Sequence, residues 1–534
     1  MTSTVATARE WDVIIVGSGI GGATVGRSLA LRGHSVLFLE KGGRIGQTEE
    51  SSGAISPESR MAHGWWPHPL SRRDPNGETK RIYAPIGCAL GGSSIHYAAA
   101  LERMAISDFD SLSVTSGSTP PWPVSFAEFE PHYAAAEKIY RISGESSHEA
   151  EQRMSHWDRA LMQQMRQNGL RPDPLRVAMR FDEQCKECIG IVCPRNCKAD
   201  ARVACLEEAL RQPQCHILEH CDVQTLTADN KYVRNVTALH LGRKLELRAR
   251  IVVLSAGALH SPQILLRSRN EFWPKGLANS SDQVGRNLMF HTNDIFALWA
   301  PRRLSRRARQ RKSISVRDFY VHKGQRLGYV QSMGLDAGRG EIAGYVKDQL
   351  RQRGVRNELL LSFLAKVPSH IGAIMFGSAG IFAAATEDDP NPDNRIVLDP
   401  DEPDGARFSY TVTDDLRRRA DELRLAFSRC VHPWRMLRIS TTLEMNFGHP
   451  CGTCRFGDQR ASSVLDRNCR THDVENLYIV DSSFMPRSGA VNPSLTIAAN
   501  ALRVAPEIAA QISNTAAGLS RSLVPTAQVK IGND

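Results

Sequence analysis

Two groups of residues in this chain have types and spacing suited to chemistry. The first is Gly17-Ser18-Gly19-Ile20-Gly21-Gly22, which follows the apolar stretch 12–16 and opens a helical pattern running to about Arg32, before Gly33. Gly17 permits a tight turn, Gly19 lets backbone approach a pyrophosphate, and Gly22 lets the helix pack closely on the strand. Free N–H groups at the start of such a helix attract phosphate. A second apolar strand, "SVLFLE", ends at Glu40. That carboxylate can accept hydrogen bonds from both hydroxyls of an adenosine ribose and disfavours a 2′-phosphate. Strand, turn, helix, strand and acid in this order imply a dinucleotide site, without separating FAD from NAD.

The second group is "QCKECIGIVCPRNCKADA", residues 184–201, which holds Cys185, Cys188, Cys193 and Cys197. The spacing is looser than the bacterial ferredoxin run. It also lacks the long arm between ligand pairs of a zinc finger or ribbon. Four readings stay open: iron–sulfur ligands, zinc ligands, disulfides, or reduced thiols buried as small hydrophobes. Twelve cysteines in 534 residues do not suggest a secreted disulfide scaffold. In a reduced chain, a tight cluster points to metal or redox work before disulfides.

These residues need a large frame to position them. A chain of 534 residues is too long for one simple core, so two domains, consecutive or interleaved, are expected. The hydrophobic fraction of 41% and charged fraction of 23% are ordinary for a globular protein. No run of eighteen apolar residues occurs, so no membrane span is expected. "MTSTVATARE" lacks a basic region followed by an apolar core, which makes the cytoplasm the expected location, with peripheral membrane association left open. Much of the net charge of +10 sits in "RRLSRRARQRK", residues 302–312. The run reads as a solvated loop, with docking to an acidic partner or anionic membrane as the sharper alternative. No aromatic stacking platform accompanies it, so nucleic acid is not an expected partner. Residues 44–80 read as surface loop or lid, and 111–180 as linker, helix and irregular structure. Residues 358–392 are the most apolar region and read as core running into a strand, with monotopic membrane contact as the alternative.

Six stretches occur in an order that resembles one family: "GSGIGG", "GCALGGSS", "SAGALHSPQILLRS", "VGRN", "HPCGTCRFG" and "VDSSFMPRSGAVNPSLTIAANALRVA". That family is the glucose–methanol–choline (GMC) family of FAD-dependent alcohol oxidoreductases. The resemblance implies a mixed α/β fold. A Rossmann-like FAD-binding domain would be interleaved with a substrate-binding domain carrying a mostly antiparallel sheet over the flavin. The expected segments are 1–110, 181–292 and 449–520 for the FAD domain, 111–180 as linker and substrate-domain or lid segment, 293–448 for the substrate domain, and 521–534 as a tail.

The resemblance also implies roles for particular residues. Contacts to FAD are expected from Gly17, Gly19, Ile20, Gly22, Glu40, Lys41, Gly87, Gly91, Gly92, Ser93, His96, Val223, Ala256, Gly257, Asp481, Ser482, Asn492 and Pro493. His96 stands at the offset of members with covalently attached flavin. The alternative is a hydrogen-bonded, uncharged histidine beside the flavin ring. His449 is the expected base for the hydroxyl proton, since imidazole titrates near neutrality. Asn492 cannot be a base and is expected to donate a hydrogen bond to the substrate oxygen. Pro493 would open a helix whose positive end favours the anionic reduced flavin. Cys188-x4-Cys193-x3-Cys197 looks like the iron–sulfur stretch of bacterial sugar dehydrogenases in the family, whereas Cys185 and the following "KADA" depart from it. The implied activity is oxidation of a sugar, polyol, or aliphatic or aromatic alcohol. Alternatives are a non-redox lyase on the same fold, an iron–sulfur dehydrogenase passing electrons to a cytochrome or quinone, or a flavoprotein that mainly docks an electron acceptor. Fold alone does not select the alcohol.

Overall fold

A computed structural model of the chain describes residues 3–46, 60, 63–66, 69–74, 76–109, 121–142, 151, 154–181, 185, 187–301, 312–334, 343, 346, 347, 350, 354–402, 405–440 and 443–522. All but the last residue of the basic run 302–312, and positions 523–534 of the tail, lie outside the described residues.

The core is a parallel sheet in the order Cys215–Leu218, Val36–Leu39, Glu10–Val16, Arg243–Leu254, Leu477–Ile479. Such strands are covered on both faces and therefore read as continuous apolar runs. Val13, Ile14, Ile15, Val36, Leu37 and Phe38 are all fully buried. The helices Ile20–Ala30 and Ser494–Ser522 pack on one another, so the first and last parts of the chain share this layer. The long strand Arg243–Leu254 also reaches beyond the parallel sheet. Its second half pairs with Glu10–Val16, and its first half pairs antiparallel with Val233–His240, which in turn pairs with Cys221–Ala228.

A second sheet is antiparallel, in the order Arg435–Arg438, Asp294–Trp299, Ala379–Thr386, Gly328–Ser332, Ile314–Val316, Asp173–Pro174. Side chains alternate across it. Phe296, Leu298, Val330 and Phe382 pack with Leu161 and Phe427, from the helices His156–Gln167 and Asp414–Cys430. Tyr329 and Gln331, on either side of Val330, turn the other way, toward the parallel-sheet layer and its cavity. The mixed α/β fold with a mostly antiparallel second sheet is thus present.

Two smaller pairings matter for the site. Met289–Thr292 pairs antiparallel with Met445–Cys451. Arg395–Leu398, Ala406–Ser409, Leu70–Arg73 and Thr79–Ile82 form another sheet. The latter two strands correct the reading of 44–80 as loop throughout. "LSRR" and "TKRI" are too polar to announce strands, and the strand that recruits them is 336 residues away along the ladder Arg407↔Ser71 and its neighbours. Between the layers lies a buried ionic network. Arg326 contacts Asp108 and Glu387, and Arg487 donates to the same Glu387 at 3.1 Å. Despite its burial, the surrounding arginines hold Glu387 down at about 2.

The apolar stretch 358–392 also departs from expectation. It forms the helix Glu358–Phe376 and the strand Ala379–Thr386; the strand is core, and the helix joins the core along one face only. Leu361, Ala365 and Ser369 are buried, whereas Leu359, Phe363, Val367, Ile371 and Met375 form an exposed stripe at four-residue spacing. Composition marked the segment as apolar, but its excess apolar residues fall on the outer face. Phe363, 73% exposed, is therefore expected to tolerate replacement: Phe363→Ser changes stability by no more than about 0.5 kcal/mol. Leu361→Ala costs about 2–5 kcal/mol by comparison. Thermal unfolding of the two variants side by side checks this.

Candidate active site

One cavity of about 680 Å³ runs from the first glycine turn, past the carboxyl ends of the parallel strands, to the antiparallel sheet. At its first end, Gly17 has φ 94, a left-handed conformation that favours glycine. Glu40 is buried, and its Oε2 accepts from the Ser18 backbone N–H at 2.9 Å and the Ser18 hydroxyl at 2.7 Å. Its Oε1 accepts from the Gly42 N–H at 3.0 Å. Burial raises its pKa, against the pull of these bonds. The second glycine loop touches the first: a Cβ on Gly92 would lie 2.9 Å from the Gly19 Cα, and Gly92 has φ 56. The Ser93 hydroxyl braces this loop by accepting from the Gly87 N–H at 2.9 Å. Two backbone loops in such contact leave a cradle without side chains, as a pyrophosphate requires.

Asp481 spends its carboxylate on protein. It accepts from the Gly257 N–H at 2.9 Å, the Ser261 hydroxyl at 2.5 Å and the Ser483 N–H at 2.9 Å, and burial raises its pKa. It locks together two turns that line the cavity. His96, 7% exposed, lines the same cavity. Burial and the nearby Arg60 and Lys198 push it down to about 3, so it is neutral. Among the described residues, neither of its ring nitrogens has a hydrogen-bond partner. A glycine cradle, a buried acid lining the cavity beside it and an orphaned imidazole together fit a bound flavin dinucleotide.

The other end brings together His449, on the strand Met445–Cys451, and Asn492, just before the helix Ser494–Ser522. Asn293, Lys312, Gln331, Met333 and Asn446 complete this end. Tyr329 donates its hydroxyl to Asn492 Oδ1 at 2.5 Å, which leaves the amide N–H groups as donors. His449 Nδ1 lies 3.0 Å from His291 Nδ1, and His291 Nε2 lies 3.1 Å from the Ser488 carbonyl. Burial first, then the neighbouring His291 and Lys312, hold His449 well below the usual imidazole range. Burial pushes Lys312 down to about 7. This lysine ends the basic run read as a solvated loop, yet it is 3% exposed and faces the cavity.

Most of the residues singled out from sequence line this cavity. They are Gly17, Gly19, Ile20, Glu40, Lys41, Gly87, Gly92, Ser93, His96, Val223, Ala256, Gly257, His449, Asp481, Ser482, Asn492 and Pro493. Gly22 and Gly91 do not. Gly22 lies where a Cβ would strike the Gly17 carbonyl, and Gly91 takes φ 95 to start the turn Gly92–Ile95. The helix begins at Ser494, one residue after Pro493. The four clustered cysteines lie outside the cavity lining. Among the described residues no group of three or more His, Cys, Asp or Glu side chains is arranged to hold a metal ion. Cys188 and Cys193 hydrogen-bond to each other. The adjacent Lys198 ammonium donates to the carbonyls of Tyr97, Cys188 and Ile191 at 3.1, 3.0 and 2.7 Å. Sequence reasoning missed His291, Tyr329, Lys312 and Asn446. Only Asn446, three residues before His449, carried a positional hint.

A glycine-turn parallel sheet and an antiparallel sheet meeting at one cavity define a dinucleotide-dependent oxidoreductase. Family models described as GMC oxidoreductase match residues 11–293 and 390–501, and the chain belongs to that family. It is 28% identical to 6'''-hydroxyparomomycin C oxidase of Streptomyces lividus, over 95% of this chain and 92% of that one. It is 27% identical to 2-methyl-1,2-propanediol dehydrogenase of Mycolicibacterium austroafricanum, over 95% and 97%. Among solved structures, pyridoxine 4-oxidase from Mesorbium loti superposes with a TM-score of 0.64 at 20% identity, covering 93% of this chain and 99% of that one. That likeness is one of fold. No helix among the described residues is long and apolar enough to cross a membrane.

The electrostatics give a direct expectation. A lowered pKa means that His449 is neutral throughout the range in which a free imidazole gains its proton. Followed by NMR, its ring should show no protonation between about pH 8 and 6. A titration near pH 7 in the same cavity is expected to vanish in Lys312→Met, which removes the amine.

Proposed function

We propose that this chain oxidises the CH–OH group of an alcohol to a carbonyl, with FAD as its bound cofactor. The observation that carries this reading is the pairing of a neutral imidazole, His449, with an amide donor, Asn492, at one end of a cavity whose other end is a glycine cradle. A hydroxyl needs both polarities: an acceptor for its proton and a donor for its oxygen. His449 takes the proton, and Asn492, held by Tyr329, steadies the oxygen as negative charge grows. The N-terminus of the helix Ser494–Ser522 adds positive potential at the same place. FAD, when bound, supplies the hydride acceptor.

The substrate end supports a polar alcohol. Asn293, Gln331 and Asn446 offer amides, and Lys312 a cation. Sugars and polyols suit these groups better than a bare hydrocarbon chain. Relatives named for a hydroxyparomomycin, a propanediol and pyridoxine support an oxygen-bearing small molecule of this kind. Oxygen or a diffusible acceptor is the proposed electron sink, with an iron–sulfur exit as the alternative that metal analysis of the purified enzyme decides. The non-redox alternative finds no specific support at the reactive end.

The decisive measurement is anaerobic mixing of the FAD-loaded enzyme with a panel of alcohols. Bleaching of the flavin band is expected. An unchanged spectrum across sugars, polyols and benzylic alcohols would count against oxidation. His449→Ala should keep its flavin spectrum and lose reduction by a factor on the order of 10²–10⁴. Near-normal reduction in that variant refutes the role given to His449. The unpartnered, neutral His96 further supports a covalent bond to flavin. Acid precipitation should then leave the yellow colour in the pellet, and colour in the supernatant excludes the bond.

A further inference from the structure

We propose that His291 is a positioning residue that sets the tautomer of His449, leaving the His449 Nε2 lone pair free for the alcohol proton. This deepens the function proposed above and rests on His449 being the base.

The argument follows the protons from the outside in. The Ser488 carbonyl oxygen can only accept, so His291 Nε2, 3.1 Å away, must carry a proton. His291 is 1% exposed, and burial favours its neutral form. A neutral imidazole has one ring proton, so His291 Nδ1 holds a lone pair. That atom lies 3.0 Å from His449 Nδ1, and one of the two nitrogens must donate. The donor is therefore His449, with its proton on Nδ1 and a bare Nε2. The ring planes stand at 83°, so the approach is edge-on and suits a hydrogen bond rather than stacking. The opposite assignment needs a doubly protonated His291, a cation that burial opposes.

One neighbour competes with this assignment, and the far end of the bond chain is anchored. Asn446 Oδ1 accepts from the Gly448 N–H at 3.1 Å, which turns the amide nitrogen toward His449 Nδ1 at 3.3 Å. Asn446 therefore turns a donor toward the atom that carries the His449 proton, and this contact opposes the assignment. It is the longer of the two, 3.3 Å against 3.0 Å, and a bare His449 Nδ1 would leave two lone pairs facing each other across the shorter one. The far end of the chain of bonds is anchored. The Ser488 hydroxyl donates to the Asp388 carbonyl at 2.9 Å, and the Asp388 N–H donates back to that hydroxyl at 3.0 Å. Asp388 itself accepts from the Tyr410 hydroxyl at 2.6 Å and the Phe290 N–H at 3.1 Å.

The proton balance is simple. The alcohol O–H bond breaks and an N–H bond forms at His449 Nε2, which makes an imidazolium. Its Nδ1–H stays on His449, and the bond to His291 becomes charge-assisted and stronger. His291 gains no proton. A carboxylate in its place would fix the same tautomer and also raise the His449 pKa. A neutral imidazole orients without that shift, in keeping with the depressed pKa of His449.

The test compares the FAD-loaded wild type with His291→Phe and His291→Gln. Phenylalanine keeps bulk and removes both polar atoms. Glutamine keeps an acceptor and a donor in one planar group. His291→Phe should slow flavin reduction by the best alcohol about 10–100-fold, as when a histidine loses its orienting partner, with little change in the substrate dissociation constant. His291→Gln should recover most of the rate. Independently of activity, ¹⁵N NMR of labelled histidine, with His449 assigned by difference from His449→Asn, should show the Nδ1–H tautomer in wild type and His291→Gln. It should show the Nε2–H tautomer in His291→Phe. An Nε2–H signal from His449 in wild type overturns the proposal, as does full-rate reduction in a flavin-replete His291→Phe. If His291→Phe loses its flavin, the wild-type and glutamine tautomers still decide. If no alcohol bleaches the wild type, the alcohol reading fails while the tautomer measurement still judges His291.

Discussion

The short antiparallel pairing of Met289–Thr292 with Met445–Cys451 is the contact on which the reactive end of the cavity depends. It sets residues about 150 positions apart side by side, with His291 opposite Asn446 and Met289 opposite Cys451. The register shifts between those two pairs, and the irregularity lies beside the segment that presents His449. Such irregularities commonly re-aim a side chain next to a site. Without this ladder, His449 would be one of seventeen histidines on a strand end, with no partner to hold its ring.

Asn492 depends on a different support. The segment leading to it passes Arg487, which donates to buried Glu387, and Ala490, whose N–H donates to the Tyr320 hydroxyl at 3.1 Å. Tyr320 in turn donates to Asp108 at 2.6 Å. Buried ionic groups of this kind are weak evidence of net stability, since desolvation offsets much of their attraction. Their value here is geometric: they tie three remote chain segments to the loop carrying the amide. Tyr329, from the antiparallel sheet, completes the restraint. Precise aim matters because a misplaced donor loses much of its effect on a growing charge.

Local signals explain what was legible in the chain. The strand, glycine turn and helix at residues 10–30 are encoded in neighbouring residues: a β-branched apolar run, then glycine where φ is positive. Capping boxes at Ser125 with Glu128 and at Ser155 with Asp158 likewise encode helix starts in a region read as linker, helix and irregular structure. The apolar helix Glu358–Phe376 misled because composition reports how many apolar residues there are, and not which side of the helix meets the protein. Lys312 misled for a related reason: six arginines precede it in the basic run, but its own side chain enters the cavity.

The sequence by itself determined the dinucleotide cradle, the α/β class and the family, because glycine spacing and strand–helix order act over a few residues. It also singled out His449 and Asn492 as candidates. Only the tertiary structure decided their surroundings. His291 and Tyr329 reach them across 158 and 163 positions of chain, through sheet pairings that no local pattern announces. The same holds for the cysteines. Their spacing left several readings open, and the fold brings Cys188 and Cys193 into hydrogen-bond contact and sets the Lys198 ammonium among the carbonyls of their loop, because the convergence of side chains in space is not written in their spacing along the chain.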